Sequence, residues 1–349
     1  MPHQAHDFYS EWLATSRQVE DAVTHSRIVS RGQELNWIET PHDARVAMLI
    51  GAAAGFPTSG TALLKAEIPV GWHTGKHVHG EEAIYIERGS GFSIIDGARY
   101  DWKPGTCLHL PFMSEHQHFN TGSEPAVYLS ALTQDLDLFV KLGRLIQLDE
   151  KGPNPTDVES HFPAQASQLL ADGRRIALHL EDALDESKLD RNGHGHGEKH
   201  GHHDHSERKH KGHLTEGWQP HRHGAIYVLM GREGSPSEGY NGFFAKSVAI
   251  TNIFEDVPMS SSHKHSHTEA MLYVLEGAGY SEVDGQRYDW QAGDAVHVPP
   301  KMTVHEHFNN TSDRVRTLRI EFGIRYFYEA LWSGFHKVEH RAHAQALSH

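Results

Sequence analysis

His77-Val78-His79-Gly80-Glu81-Glu82, then Tyr85-Ile86-Glu87-Arg88-Gly89, Pro111 and His116-Gln117-His118-Phe119-Asn120, form a pattern that occurs twice. The second copy is His265-Ser266-His267-Thr268-Glu269-Ala270, Tyr273-Val274-Leu275-Glu276-Gly277, Pro299 and His305-Glu306-His307-Phe308-Asn309. The copies stand about half a chain apart and keep one register until a single residue is inserted near Pro300. Between the two halves of each copy lie Ile95-Asp96-Gly97-Ala98-Arg99-Tyr100-Asp101-Trp102 and Val283-Asp284-Gly285-Gln286-Arg287-Tyr288-Asp289-Trp290. Scattered histidines match by chance, but a whole segment in register does not. The chain is one fold duplicated, with a candidate metal site in each copy.

The segments around the pattern read as short strands cut by glycine and proline turns, and Asp96-Gly97 between apolar runs is a hairpin signal. Side chains alternate faces along a strand, so His77 and His79 point the same way, as do His265 and His267. The pairs His116/His118 and His305/His307 follow the same rule. A small barrel closes its inward faces on one another, and histidines from two strands then converge on one interior point. Neutral imidazole is a common ligand for divalent transition metals, and three of them leave coordination positions open for catalysis.

Bulk properties set outer limits. The 349 residues suffice for two or three domains. A net charge of −14 gives no general attraction for nucleic acid or an anionic membrane. The 32 histidines make that charge fall steeply below neutral pH. A lone cysteine, Cys107, excludes an intramolecular disulfide and fits a reducing compartment. No stretch reads as a signal peptide or a membrane span, so a cytoplasmic location is expected.

The expected division is an N-terminal helical or extended arm over 1–60, a first barrel over 61–134 and a helical connector over 135–190. A histidine-rich linker over 191–223, a second barrel over 224–325 and a C-terminal helix over 326–349 complete it. Within the arm, 8–30 reads as a helix followed by a basic turn; 135–149 and 163–190 also read as helical. The run 191–213 has almost no apolar residue and cannot fold by itself. It is either a hydrophilic spacer or a metal-gathering tract.

At this point the chain resembles a cupin, and in particular a bicupin. The residues that carry the resemblance are His265-x-His267, Tyr273-Val274-Leu275-Glu276-Gly277, Gly293-Asp294, Pro299, His305 and Asn309, with His77-x-His79, Tyr85, Gly89, Pro104-Gly105, Pro111, His116 and Asn120 in the first copy. The resemblance implies an all-β chain of two double-stranded β-helix, or jelly-roll, barrels. It implies metal ligation by His77, His79 and His116 in one copy and His265, His267 and His305 in the other. The turn after each histidine pair is a residue shorter than usual in the family. Counting back from Gly89 and Gly277 puts the ligand glutamate at Glu82 and at Ala270; a different path for the turn would put it at Glu81 and Glu269.

A three-histidine site with alanine at the carboxylate position is similar to gentisate and 1-hydroxy-2-naphthoate dioxygenases. That likeness implies Fe(II) as the metal, a small hydroxylated aromatic acid and O2 as substrates, and ring opening as the reaction. In that family the metal usually sits in the N-terminal cupin, whereas the closer match here is the C-terminal copy, which is expected to be the catalyst. His297 and His307 are then acid–base or orienting groups beside bound substrate, as His109 and His118 are in the first copy. Arg319 is the candidate for a substrate carboxylate; Arg316, of opposite parity, cannot face inward from the same regular strand. The alternatives on the same fold are a Mn- or Ni-dependent decarboxylase, lyase or isomerase, and a non-enzymatic metal- or ligand-binding bicupin; Zn and Cu also suit such ligands. A homo-oligomer is expected, because cupin sheets commonly pair between subunits.

Overall fold

Strand alternation, more than any single contact, explains how the residues are distributed. In the strand Glu82–Arg88, Ile84 and Ile86 join one apolar cluster while Ala83 and Tyr85 join another. A pleated strand packed on both faces must divide its side chains in this way. The computed structural model describes residues 7–164, 168–170, 173–185, 219–220, 223–230, 241–262 and 264–328. The linker run 191–213 lies outside the described residues.

The first half of the chain builds two seven-stranded sheets, and the second half one of seven strands and one of six. In the first half the sheet that carries Glu82 orders its strands Ala177–Leu178, Cys107–Leu110, Glu82–Arg88, Ala126–Leu132, Ala62–Ile68, Arg45–Ile50 and Trp37–Ile38. In the second the order is Val29–Ser30, Ala295–Val298, Ala270–Glu276, Val315–Phe322, Val248–Asp256, His223–Val228 and Leu184–Asp185. The fold is a bicupin: all-β, with two barrels and few helices. The turns Asp96-Gly97 and Asp284-Gly285 have φ of 48° and 80° at both sites, the left-handed pair that a two-residue hairpin needs.

The two sheets whose strand orders are given pack face to face. One apolar cluster takes Phe56, Leu63, Tyr85 and Leu129 from the first half and Ile250, Met271, Tyr273 and Phe322 from the second. The other faces line the barrel interiors, with Ile84, Ile86 and Leu108 in one and Leu272, Val274 and Val296 in the other.

Flanking segments are exchanged across this seam. Val29–Ser30, from the N-terminal arm, pairs with Ala295–Val298 of the second barrel. Ala177–Leu178, from the connector, pairs with Cys107–Leu110 of the first. The arm also supplies Arg45–Ile50 to the first barrel's sheet, so it is not a separate unit. A helix spans Phe8–Thr24, with the Asp7 side chain accepting from Ser10 N at 3.0 Å.

The connector differs from its expected helical form. Its helices are short, Gln134–Phe139 and Val158–His161, and Ile146–Asp149 is an edge strand against Lys76–Val78. The remainder described up to Asp185 is extended, with one 3-10 turn at Leu180–Asp182. Apolar residues spaced as on a helix were recruited instead to open sheet edges, where backbone pairing outweighs weak helical preference. The final helix is described over 323–328 and starts before the expected residue 326; positions 329–349 lie outside the described residues. Among the described residues no helix is long and apolar enough to cross a membrane.

Two buried carboxylates tie the barrels together reciprocally. Glu81 accepts from His109 Nε2 at 2.8 Å and from Ser247 Oγ at 2.8 Å, the latter on the approach to the second barrel. Glu269 accepts from His297 Nε2 at 2.9 Å and from Ser59 N at 3.1 Å, on the approach to the first, and the Ser59 hydroxyl also donates to it. Removing one member of such a buried pair strands the other. We expect Glu269→Ala to cost about 3–5 kcal/mol of unfolding free energy in chemical denaturation. A loss below about 1 kcal/mol would show that this carboxylate does not hold the seam.

Candidate metal centres

Strand pairing brings each histidine set together. His77 stands opposite His116 in adjacent antiparallel strands, and His265 stands opposite His305 in the same way. In the first barrel the rings of His77, His79 and His116 lie 4.5–5.1 Å apart, centroid to centroid. In the second, His265, His267 and His305 lie 4.2–5.1 Å apart. Within each trio one nitrogen per ring falls within 4.8 Å of the others. The first trio is buried throughout; in the second, His265 is exposed.

Hydrogen bonding sets the tautomers. His79 Nδ1 lies 2.8 Å from Gly80 O, His116 Nδ1 3.0 Å from Ser114 O, His267 Nδ1 2.5 Å from Thr268 O, and His305 Nδ1 2.8 Å from Thr303 O. A carbonyl oxygen only accepts, so each Nδ1 carries a hydrogen and Nε2 is the nitrogen left to offer a metal its lone pair; at His79 the neighbouring Glu82 raises the pKa against burial. His116 Nε2 and His305 Nε2 are buried and have no hydrogen-bond partner. A buried polar atom left unpaired is costly, and a metal ion is the partner that a lone-pair trio fits. Burial, with His79 beside it, pushes His77 down to about 4; burial and His265 push His305 down to about 3. Burial lowers His116 and His267 as well. All four are thus neutral and ready to ligate at physiological pH.

The parity of the strand settles the carboxylate. Glu82 shares the interior face with Ile84 and Ile86, and its Oε2 lies 3.3 Å from His79 Nε2 and 3.8 Å from His116 Nε2. Ser130 Oγ donates to its other oxygen. Burial opposes its charge, yet the hydrogen bond and charge of His79 hold the Glu82 carboxyl well below the usual range. The first centre is therefore three imidazoles and one carboxylate. Ala270 takes that place in the second centre, and Glu81 and Glu269 face the seam instead.

The same parity moves His109 and His297 out of the sites. His297 is fully buried in the seam, bonded to Glu269 and edge-on to Phe56 at 5.6 Å, and is not among the residues brought to the second trio. Cys107-Leu108-His109-Leu110 already alternates, with Leu108 and Leu110 on the interior face, so the signal was in the sequence without a label for the faces. His118 and His307 do sit beside the trios, 5.7 Å and 5.3 Å from the rings of His116 and His305. Each is held by a serine that a buried tryptophan supports: Trp102 Nε1 donates to Ser93 Oγ at 3.1 Å and Ser93 Oγ meets His118 Nδ1 at 2.6 Å. Trp290, Ser281 and His307 repeat this at 2.9 and 2.7 Å. Burial pushes His118 down to about 4 and His307 well below its ordinary range.

Arg319 faces the second interior, because Leu318 and Ile320 belong to the seam. It is paired with Glu321 at 2.6 Å, and Arg325 and Tyr326 also engage that carboxylate. Glu321 stands directly opposite Ala270, where the first barrel has Leu132 opposite Glu82. The carboxylate has thus moved one strand across. Sequence comparison missed this exchange because Glu321 and Ala270 are distant in the chain. Arg316 turns to the outer face and pairs with Glu276 at 2.9 Å.

The first trio opens into a cavity of about 150 Å³. Its walls include Glu82, His118, Tyr128 and Ser130, and two residues of the arm, His42 and Asp43.

Comparison with known proteins agrees with this architecture. Residues 64–132 and 253–321 each match the family model described as Cupin domain. An uncharacterized protein of Methanocaldococcus jannaschii is 38% identical over 48 residues, which is 13% of this chain and 38% of that protein. Among solved structures, an arginine-to-alanine mutant of Bacillus subtilis oxalate decarboxylase superposes with a TM-score of 0.59 at 15% identity, over 85% of this chain and 77% of that one. A structure of the same enzyme concerned with its Mn(II) centres gives 0.58 at 14% identity over the same shares, and one at pH 4.6 gives 0.57 at 13% over 85% and 76%. At such identity the likeness is one of fold: the chain carries two cupin domains arranged as a bicupin.

Two metal ions per chain are the expected stoichiometry. By elemental analysis His116→Ala should retain one ion and His305→Ala the other, while loss of both from either variant would mean a single shared site. In the metal-free protein, an imidazole held near 4 in the fold and at its ordinary 6.5 when unfolded takes up its proton first in the unfolded state. Stability should therefore fall as pH drops from 6.5 towards 4, by about 2 kcal/mol per such imidazole at pH 5. Thermal unfolding of metal-free protein across this range checks it; bound metal should raise stability overall and keep or steepen the fall, since ligated imidazoles take up no proton while folded.

Proposed function

We propose that this bicupin is a metal-dependent lyase that decarboxylates a small carboxylic acid, with the reaction in the first barrel. The observation that carries this reading is the buried set of His77, His79, His116 and Glu82, of which His77, His79 and Glu82 line a cavity. A cavity of about 150 Å³ has the room of one benzene ring. That admits a short acid and leaves no space for a fused two-ring substrate. The oxygen donor Glu82 makes the ligand set harder than imidazole alone and favours Mn(II) over softer metals. The oxalate decarboxylase neighbours, with Mn(II) centres in one, support the same class.

A divalent ion held by these four residues supplies a Lewis-acid position that draws electron density from a bound carboxylate. The remaining work falls to the chain. Against its burial, His79 is raised by the hydrogen bond and charge of Glu82 in the metal-free protein, and ligation would displace that proton. With three neutral imidazoles and the one negative charge of Glu82, the loaded centre would keep a net positive charge for an anionic substrate. Ser130 fixes the Glu82 carboxylate. Tyr128 and the apolar side chains Val46, Leu64 and Ala66 line the cavity and limit water.

On this reading the reaction belongs to the first barrel, whereas the closer sequence match of the C-terminal copy to ring-cleaving dioxygenases favoured the second. That iron(II) reading keeps one supporting observation, the three-histidine set with Ala270 and an inward Arg319 able to meet a substrate carboxylate. Measurement separates the two. Protein loaded with Mn(II) should release CO2 from at least one two- to four-carbon acid with no net O2 consumption. His116→Ala should abolish release and His305→Ala should spare most of it. O2 uptake with a hydroxybenzoate that depends on His305 would overturn the proposal in favour of the dioxygenase.

A further inference from the structure

Asp43 is a carboxyl that the duplicated pattern does not contain. It lies on the N-terminal arm just ahead of the strand Arg45–Ile50, and it lines the same cavity as His77, His79 and Glu82. Its one hydrogen bond among the described residues runs from Ala44 N to Oδ1 at 2.7 Å, which leaves Oδ2 without a protein partner. It makes no ion pair with a candidate ligand: the carboxyl contacts within salt-bridge distance of His79 and His116 come from Glu82. The arm strand that reaches the second barrel, Val29–Ser30, pairs edge to edge with Val296 and Ala295 and carries no carboxyl.

We propose that Asp43 is the catalytic acid of the first barrel, delivering the proton that replaces CO2 on the substrate carbon. The inference rests on the decarboxylase reading above and assigns its proton donor. The step balances without any redox partner. The bond between the carboxylate and its carbon breaks, CO2 leaves, and the electron pair stays on the carbon. That pair takes the hydrogen of the Asp43 carboxyl, and the resulting Asp43 carboxylate is reprotonated from water at the cavity mouth, beside His42, Gln134 and Gln147.

The surroundings suit the task. Burial raises the Asp43 carboxyl to about 7, against the Ala44 N–H and with help from the Glu82 charge, while His79 and Lys151 pull the other way. His42, His77, His118 and Tyr128 line the same cavity, and burial keeps the Tyr128 hydroxyl neutral. A carboxyl that is half protonated near neutral pH donates a proton and recovers it within one turnover. A dianionic ligand entering the cavity raises it further, so binding takes up a proton.

The test uses full-length, Mn(II)-loaded protein and Asp43→Asn, with Asp43→Glu as the conservative partner. Metal content and the Mn(II) spin-resonance signal should match wild type in both. The Asn variant should lose about 100-fold or more in kcat with little change in KM, and should lose the fall in rate above pH 7; the Glu variant should recover part of the rate. A second readout needs no turnover: calorimetric titration with malonate in two buffers of different ionisation enthalpy should show proton uptake in wild type and none in the Asn variant. Equal proton uptake in both proteins overturns the assignment. So does an Asn variant within threefold of wild type with the same pH profile, and in that case the decarboxylase reading still stands. If wild type releases no CO2 from any acid, the decarboxylase reading fails, and the proton-uptake comparison alone decides whether Asp43 is the titrating acid of the cavity.

Discussion

The pleat of the two sheets that pack face to face is the constraint on which everything else depends. Each sheet has one face in a barrel and one against the other sheet. Neighbouring residues in a strand are forced to opposite faces, so a functional group and a structural one can be adjacent in sequence and far apart in role. Glu81 and Glu82 show this most plainly. One holds the barrels together through His109 and Ser247; the other reaches the imidazole trio. A slip of one residue would exchange them and place a ligand carboxylate in an apolar seam.

The seam makes the duplication interdependent. Each barrel receives an edge strand from outside its own repeat, and each buried carboxylate is satisfied partly by the approach segment of the other barrel. The main-chain N–H of His109 and of His297 donates to these exchanged segments, at Ile176 O and Ile28 O. A barrel separated from its partner would expose both an apolar sheet face and an unpaired buried carboxylate, each costly in water. Within that shared frame the interiors have diverged. The pair Glu82 and Leu132 in one corresponds to Ala270 and Glu321 in the other, and Ser130 corresponds to Arg319. The first interior offers a metal ligand, the second a carboxylate already engaged by arginines.

Much of this was legible beforehand, for particular reasons. The trios were readable because alternation and repetition both act on short, local stretches. The matching stretches Arg99 to Trp102 and Arg287 to Trp290 alternate in the same way, with Arg–Asp pairs at 2.6 Å on one face and buried tryptophans on the other. The connector was misread because an amphipathic stretch of such length suits a helix or an edge strand, and only a neighbouring open edge decides between them. His297 was misplaced because its alternation with Val296 and Val298 does not say which face is the barrel.

By itself the sequence determined the duplication, the all-β class, the hairpin turns and the six imidazoles, all of which follow from local spacing and backbone preference. The tertiary structure alone decided which glutamate faces the metal site, that His109 and His297 belong to the seam, that Glu321 stands opposite Ala270, and that Asp43 from the arm lines the first cavity. These depend on pairing and packing between segments far apart in the chain, and no local pattern encodes which side of a strand becomes the inside.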